Sequence, residues 1–201
     1  MGHYTVEGET NTVTWGFLPG TASKLLLIKT GMGGSIYGYQ EKYFHIAQHF
    51  NSLGYNVLCC STPQTVNDRL SFETAIEAAK AQMGDHFPDC TIHYMGISRG
   101  AYQGILFGNT IPQIEALLLI NSPIMVNFSK QLAALRGLDK HSVLVIGTKD
   151  PSFQFWPFLQ KIENPKLKMI EVTDADHHFK GMNKEFFDLP LNVFLSKHQQ
   201  Q

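Results

Sequence analysis

Short apolar runs alternate along this chain with stretches whose apolar residues recur at helical spacing. That order predicts an α/β fold: a mostly parallel central sheet with helices on both faces. Tyr4–Gly8 and Thr12–Gly16, joined by Glu9-Thr10-Asn11, predict an N-terminal antiparallel hairpin. Lys24–Thr30 holds Leu25-Leu26-Leu27-Ile28, apolar on both faces as a central parallel strand must be. A glycine-rich loop, Gly31-Met32-Gly33-Gly34-Ser35, comes next. Tyr43, Ala47 and Phe50 then stand at helical spacing, closed by Gly54. Asn56–Cys60 predicts another strand, and Ser71 is placed to cap a helix with Phe72, Ala75, Ile76, Ala79 and Met83 on one face. Ile92–Met95 predicts a strand and Arg99–Phe107 a helix; Ala116–Ile120, Val143–Ile146 and Lys168–Val172 complete the strands. The tail from Asn183 to Lys197 predicts a helix that Pro190 breaks or kinks. No repeat, low-complexity tract or linker interrupts the pattern, so residues 1–201 are expected to form a single domain.

Composition narrows the class of function. A net charge of −1 with no basic block offers no electrostatic footprint for nucleic acid or an anionic membrane. No uncharged apolar run approaches the ~20 residues of a membrane span. Met1 to Thr14 is polar and alternating, unlike a secretory leader. The three cysteines, Cys59, Cys60 and Cys90, are an odd count without metal-site spacing, which fits small buried hydrophobes in a reducing compartment. The expectation is a cytoplasmic protein, a monomer or weak homodimer, with no metal and no cofactor. His45 and His49 stand one helical turn apart, but nothing nearby completes a ligand set. Gly31-Met32-Gly33 begins like a dinucleotide fingerprint and then fails at Ile36.

The chemistry concentrates at Gly96-Ile97-Ser98-Arg99-Gly100, which directly follows the strand run Ile92–Met95. A serine flanked by near side-chain-free neighbours at a strand end can be held on a tight strand-to-helix turn. Such a hydroxyl needs a base in hydrogen-bond reach, and the base needs a carboxylate to fix its tautomer. Both should lie at the carboxyl ends of parallel strands, where Ser98 lies. Asp150 follows Val143–Ile146 through Gly147-Thr148-Lys149, and His177 follows the last strand through Thr173-Asp174-Ala175-Asp176. The competing readings are a turn-forming Asp150-Pro151, with Asp85, Asp89, Asp174 or Asp176 as acid, and His178 as base.

These segments resemble the α/β-hydrolase superfamily over nearly the whole chain, close to its small dienelactone-hydrolase-like and esterase-like branch. The matching pieces are Gly96–Gly100 as nucleophile elbow, Gly147–Asp150 as acid loop, Ala175–Phe179 as histidine loop, and Thr30–Ser35 as the glycine loop after the third strand. The resemblance implies Ser98 as nucleophile, Asp150 as acid and His177 as base, with an oxyanion hole from the backbone N–H groups of Met32 and Arg99. It implies an ester or related acyl substrate of small size, with a peptide or thioester bond, or a purely ligand-binding role, as alternatives. Gly31, Gly33, Met125, Phe153, Trp156 and His178 are the candidate pocket residues. The sequence departs from the pattern at Thr30, where the family usually has histidine. The short stretch Pro123–His141 leaves no room for a lid domain.

Overall fold

The computed structural model describes residues 3–195. β1 (Val6–Thr10) and β2 (Val13–Leu18) form the expected hairpin, with its turn one or two residues later than the sequence pattern placed it. Asn11 and Thr12 both take left-handed backbone, at φ 48° and 63°, and a two-residue turn of that hand matches the twist of the strands it joins. β3 (Lys24–Met32), β4 (Asn56–Thr62), β5 (Thr91–Ile97), β6 (Ile114–Ile120), β7 (His141–Gly147) and β8 (Leu167–Val172) follow. The eight strands lie in the order β1-β2-β4-β3-β5-β6-β7-β8, parallel from β4 through β8 and antiparallel at the hairpin edge.

The parallel strands inside the sheet bury both faces, while edge strand β8 is only partly covered, and the two faces carry separate cores. α2 (Asp68–Met83) and α3 (Arg99–Phe107) cover one face, where Phe72, Ala79 and Ile105 meet Leu25, Leu27 and Leu117. α1 (Lys42–Ser52) covers the other together with the C-terminal helix over Asn183–Phe194, packing Phe44, Phe50 and Phe186 on Leu26, Ile28 and Leu118. Within α2 the cap is Asn67, whose side chain accepts from the Leu70 amide, and not Ser71. Asn67 holds the extended backbone a cap requires, whereas Ser71 is already inside the helix and buried. The C-terminal helix runs through Pro190 without a break. Phe186, Pro190 and Phe194 share one buried stripe, and that burial offsets the hydrogen bond proline cannot make. The aromatic tail therefore closes the core, while Lys197 lies outside the described residues.

Between β6 and β7 the chain makes only α4 (Phe128–Arg136), so no lid covers the carboxyl ends of the strands. A 3₁₀ turn over Pro151–Phe155 leads into the short α5 (Trp156–Leu159) after β7, and the C-terminal helix is α6. The three cysteines are free and buried, and burial pushes the Cys60 thiol up to about 12, which makes it inert. No described helix is long and apolar enough to cross a membrane.

Lys29 is an exception to the apolar interior. It sits on β3 with the parity of Leu25 and Leu27, fully buried, its Nζ donating to the Ser61 carbonyl. Burial pushes its pKa down to about 8 from an ordinary 10.5, against the opposing pull of nearby thiols and Asp68. Between those two pH values the unfolded chain holds the Lys29 proton and the folded chain does not, so the contribution of Lys29 to stability rises with pH across that window. Denaturant unfolding from pH 7 to 10.5 is expected to show wild-type stability rising relative to Lys29→Met, on top of the loss both share as buried thiols and phenols ionise only in the unfolded chain. Parallel curves would exclude a titrating Lys29.

Candidate active site

Ser98 ends β5 and caps α3 in a backbone conformation (φ 51°, ψ −113°) that side-chain-bearing residues rarely adopt. The turn is this sharp because α3 starts against the sheet: a Cβ at Gly100 would lie 2.1 Å from the Lys29 carbonyl oxygen. Only glycine fits there. The Ser98 amide donates to the Ile120 carbonyl at 2.8 Å, tying the elbow to β6. A Cβ on Gly31 would come within 3.2 Å of the Ser98 Cβ, so the glycine loop lies directly against the serine.

Three of the predicted residues meet in one hydrogen-bonded chain. His177 Nε2 is 2.9 Å from Ser98 Oγ, and His177 Nδ1 is 2.5 Å from Asp150 Oδ2. The Asp150 side chain is fully shielded from solvent, whereas the imidazole is part-exposed. Asp150 also caps the 3₁₀ turn, its Oδ1 accepting from the Ser152 amide at 2.6 Å. The Asp-Pro turn and the carboxylate facing histidine are therefore one residue with two oxygens, not rival readings. Of the other acids, Asp85 and Asp89 are exposed, just before the amino end of β5, while Asp174 pairs with Lys149 at the surface. His178 is exposed and stands edge-on to the His177 ring at 5.1 Å.

The glycine loop is braced from below. Thr30 is buried, and its hydroxyl lies 3.1 and 3.2 Å from the Gly31 and Gly34 carbonyls. Gly33 N–H donates to the Thr62 carbonyl on β4, which anchors the loop at the carboxyl end of β3. Arg99 is the first residue of α3, where an amide has no acceptor within the helix. Its guanidinium is bidentate to Asp68, at 2.7 and 2.5 Å, and lies over the Tyr102 ring. Among the pocket candidates, Met125 is exposed, and Phe153 stacks on Trp156 at 5.8 Å. Trp156 is buried in the core under the acid loop. His45 and His49 lie on α1, and His49 packs on Phe187.

One residue at the site escaped the sequence pattern. Asn121, fully buried at the end of β6, donates from Nδ2 to the Asp176 and His177 carbonyls, each at 3.1 Å. Its Oδ1 accepts from the Gly147 amide at 2.9 Å, so one side chain joins the acid and histidine loops. Its left-handed backbone, φ 48°, is a conformation asparagine tolerates better than most residues. In the sequence it reads only as the polar stop of an apolar strand. Asn121→Ala is expected to lower kcat about 10- to 100-fold per folded molecule by letting His177 drift, with KM little changed. An unchanged kcat would show that the loops need no such tie.

Solved structures now give the fold a name. An α/β serine hydrolase homologue from Coxiella burnetii superposes with a TM-score of 0.70 at 16% identity, over 94% of this chain and 97% of that one. The chain has the α/β-hydrolase fold. A serine hydrolase without lid from Xanthomonas campestris matches with a TM-score of 0.70 at 15% identity, covering 94% and 91%. A dienelactone hydrolase from Anabaena variabilis matches with a TM-score of 0.69 at 14% identity, covering 96% and 98%. No protein-family model and no curated protein matches the sequence. At such identities an α/β-hydrolase scaffold is shared, and the chemistry rests on the site itself.

Proposed function

We propose that this chain is a serine hydrolase acting on a small ester or related acyl bond. The observation that carries the reading is the continuous hydrogen-bonded line from Asp150 through His177 to Ser98, set on a strained elbow. Ser98 Oγ attacks the carbonyl carbon while its proton passes to His177 Nε2, and Asp150 stabilises the resulting imidazolium. The amides of Met32 and Arg99 hold the oxyanion, at about 3–4 kcal/mol per donor in the transition state. The tetrahedral intermediate collapses, and the leaving alcohol takes the proton from Nε2. Water, deprotonated by the same nitrogen, then frees the acid and restores Ser98. Every proton in this cycle is carried by His177, and no added oxidant or reductant is needed.

The same proposal takes residues 1–201 as a single hydrolase domain in a reducing, cytoplasmic setting, supported by its three free buried thiols. The open, lidless strand ends favour small substrates in solution over lipid interfaces. The decisive experiment is exposure to a fluorophosphonate, followed by mass spectrometry of the labelled peptide. Phosphonylation at Ser98 is expected. Intact, unlabelled protein would favour a ligand-binding role for the same scaffold.

A further inference from the structure

Beside the histidine loop lies a cavity of about 670 Å³ that the mechanism above leaves unused. Tyr39, in the turn before α1, with Lys42 and Tyr43 at its start, lines one side, and Asp176, His178 and Lys180 line the other. It opens one residue from His177 and includes Gly34 of the glycine loop, so it adjoins the site on the histidine side. That side has a chemical meaning. The leaving oxygen must lie within reach of the nitrogen that protonates it, so the alcohol portion of a substrate extends along this loop.

The charges in the cavity are unbalanced. Lys42 is half-buried against the Phe186 ring, with its ammonium 4.3 Å from the centroid, and donates to the His178 carbonyl at 2.9 Å. Burial lowers its pKa, with Asp176 pulling the other way. Neither Lys42 nor Lys180 has a carboxylate within 4 Å among the described residues. Asp176 is the cavity's one carboxylate, and its Oδ1 already accepts from the amides of His178 and Lys180, at 2.9 Å each. An ammonium carries three N–H donors, and Lys42 spends one on a carbonyl. Two lysines thus line a space with a single carboxylate, Asp176, which acts on both of them and leaves a net positive charge, and the tyrosine rings supply an apolar wall.

We propose that this cavity binds the leaving alcohol of the substrate and selects one that carries an anionic group, carboxylate or phosphate, paired with Lys42 and Lys180. The assignment rests on the hydrolase reading for its place in catalysis, but not for the binding itself. A charge-assisted pair of this kind is worth about a tenfold preference or more over a neutral group.

The test compares acetate esters of equal shape: 4-acetoxybenzoate, 4-acetoxyphenyl phosphate and the neutral 4-acetoxybenzamide. At low salt kcat/KM is expected to be at least about tenfold higher for an anionic ester, with the better of the two naming the natural group. Salt should shrink that preference. Lys42→Met with Lys180→Met should remove it, and Lys180→Glu, at an exposed position, should reduce or invert it without disturbing the core. In parallel, calorimetry of 4-hydroxybenzoate and 4-hydroxyphenyl phosphate against 4-hydroxybenzamide reads the cavity with no turnover. Tighter binding of an anion, lost in the lysine variants, is expected. Labelled Ser98 and hydrolysis with no anionic preference would overturn the cavity assignment and leave the hydrolase reading standing. An unlabelled serine with lysine-dependent anion binding would do the reverse.

Discussion

Ser98→Ala is expected to lower kcat on a p-nitrophenyl ester by up to about a million-fold while leaving the fold intact. Among the described residues, the side chain being removed hydrogen-bonds only to His177 Nε2. Elbow geometry is set by backbone instead, through the Ser98 amide on Ile120 and the approach of Gly100 to β3. Removing Oγ therefore deletes the nucleophile and little else. When nucleophile, base and acid act as one unit, losing the nucleophile alone costs about as much as losing all three. What survives, about 10³- to 10⁴-fold over water, is the share of the oxyanion donors and substrate binding. The measurement is a steady-state rate on protein freed of wild-type contamination, beside a thermal midpoint. A wild-type rate in the variant would sink the mechanism.

Asp150→Asn should cost about 10⁴-fold in kcat, and for a different reason. The carboxylate has divided duties, with Oδ1 accepting the Ser152 amide and Oδ2 accepting His177 Nδ1–H. An asparagine can keep its carbonyl on Ser152, which places its amide group against Nδ1. Nδ1 must then accept, so the imidazole proton moves to Nε2, which can no longer take the proton of Ser98. Turnover falls while the turn and the fold remain, and KM should change little. Asp150→Ala would lose the turn cap as well, worth about 1 kcal/mol, so denaturant curves separate the two roles. If asparagine kept wild-type kcat, Asp150 would be only a turn residue.

Several parts of this molecule were legible from residue order. Apolar runs without alternation could only be central strands, since a strand with one wet face would interleave polar residues. Leu25–Ile28 and Leu117–Ile120 are such runs, and both lie in the middle of the sheet. Gly96 and Gly100 flanking Ser98 announced the elbow, because steric exclusion leaves a local mark. Elsewhere the local signal pointed the wrong way. Ser71 has the residue type of a cap but is already within the helix, and Pro190 has the residue type of a break but belongs to a buried stripe. In both cases packing against the sheet outweighed a local preference worth about 1–3 kcal/mol.

Strand order in the chain determined that serine, acid and histidine would each follow a strand, because the carboxyl ends of parallel strands all emerge at one edge of a sheet. Only tertiary structure could bring His177 to Ser98 while leaving His178 exposed, give Asp150 its two partners, make Asn121 the tie between two loops, and set Lys42 and Lys180 around one cavity. Those outcomes depend on angstrom distances between segments far apart in the chain. Side-chain chemistry travels with the sequence; the meeting of two side chains is fixed by how the sheet closes around them.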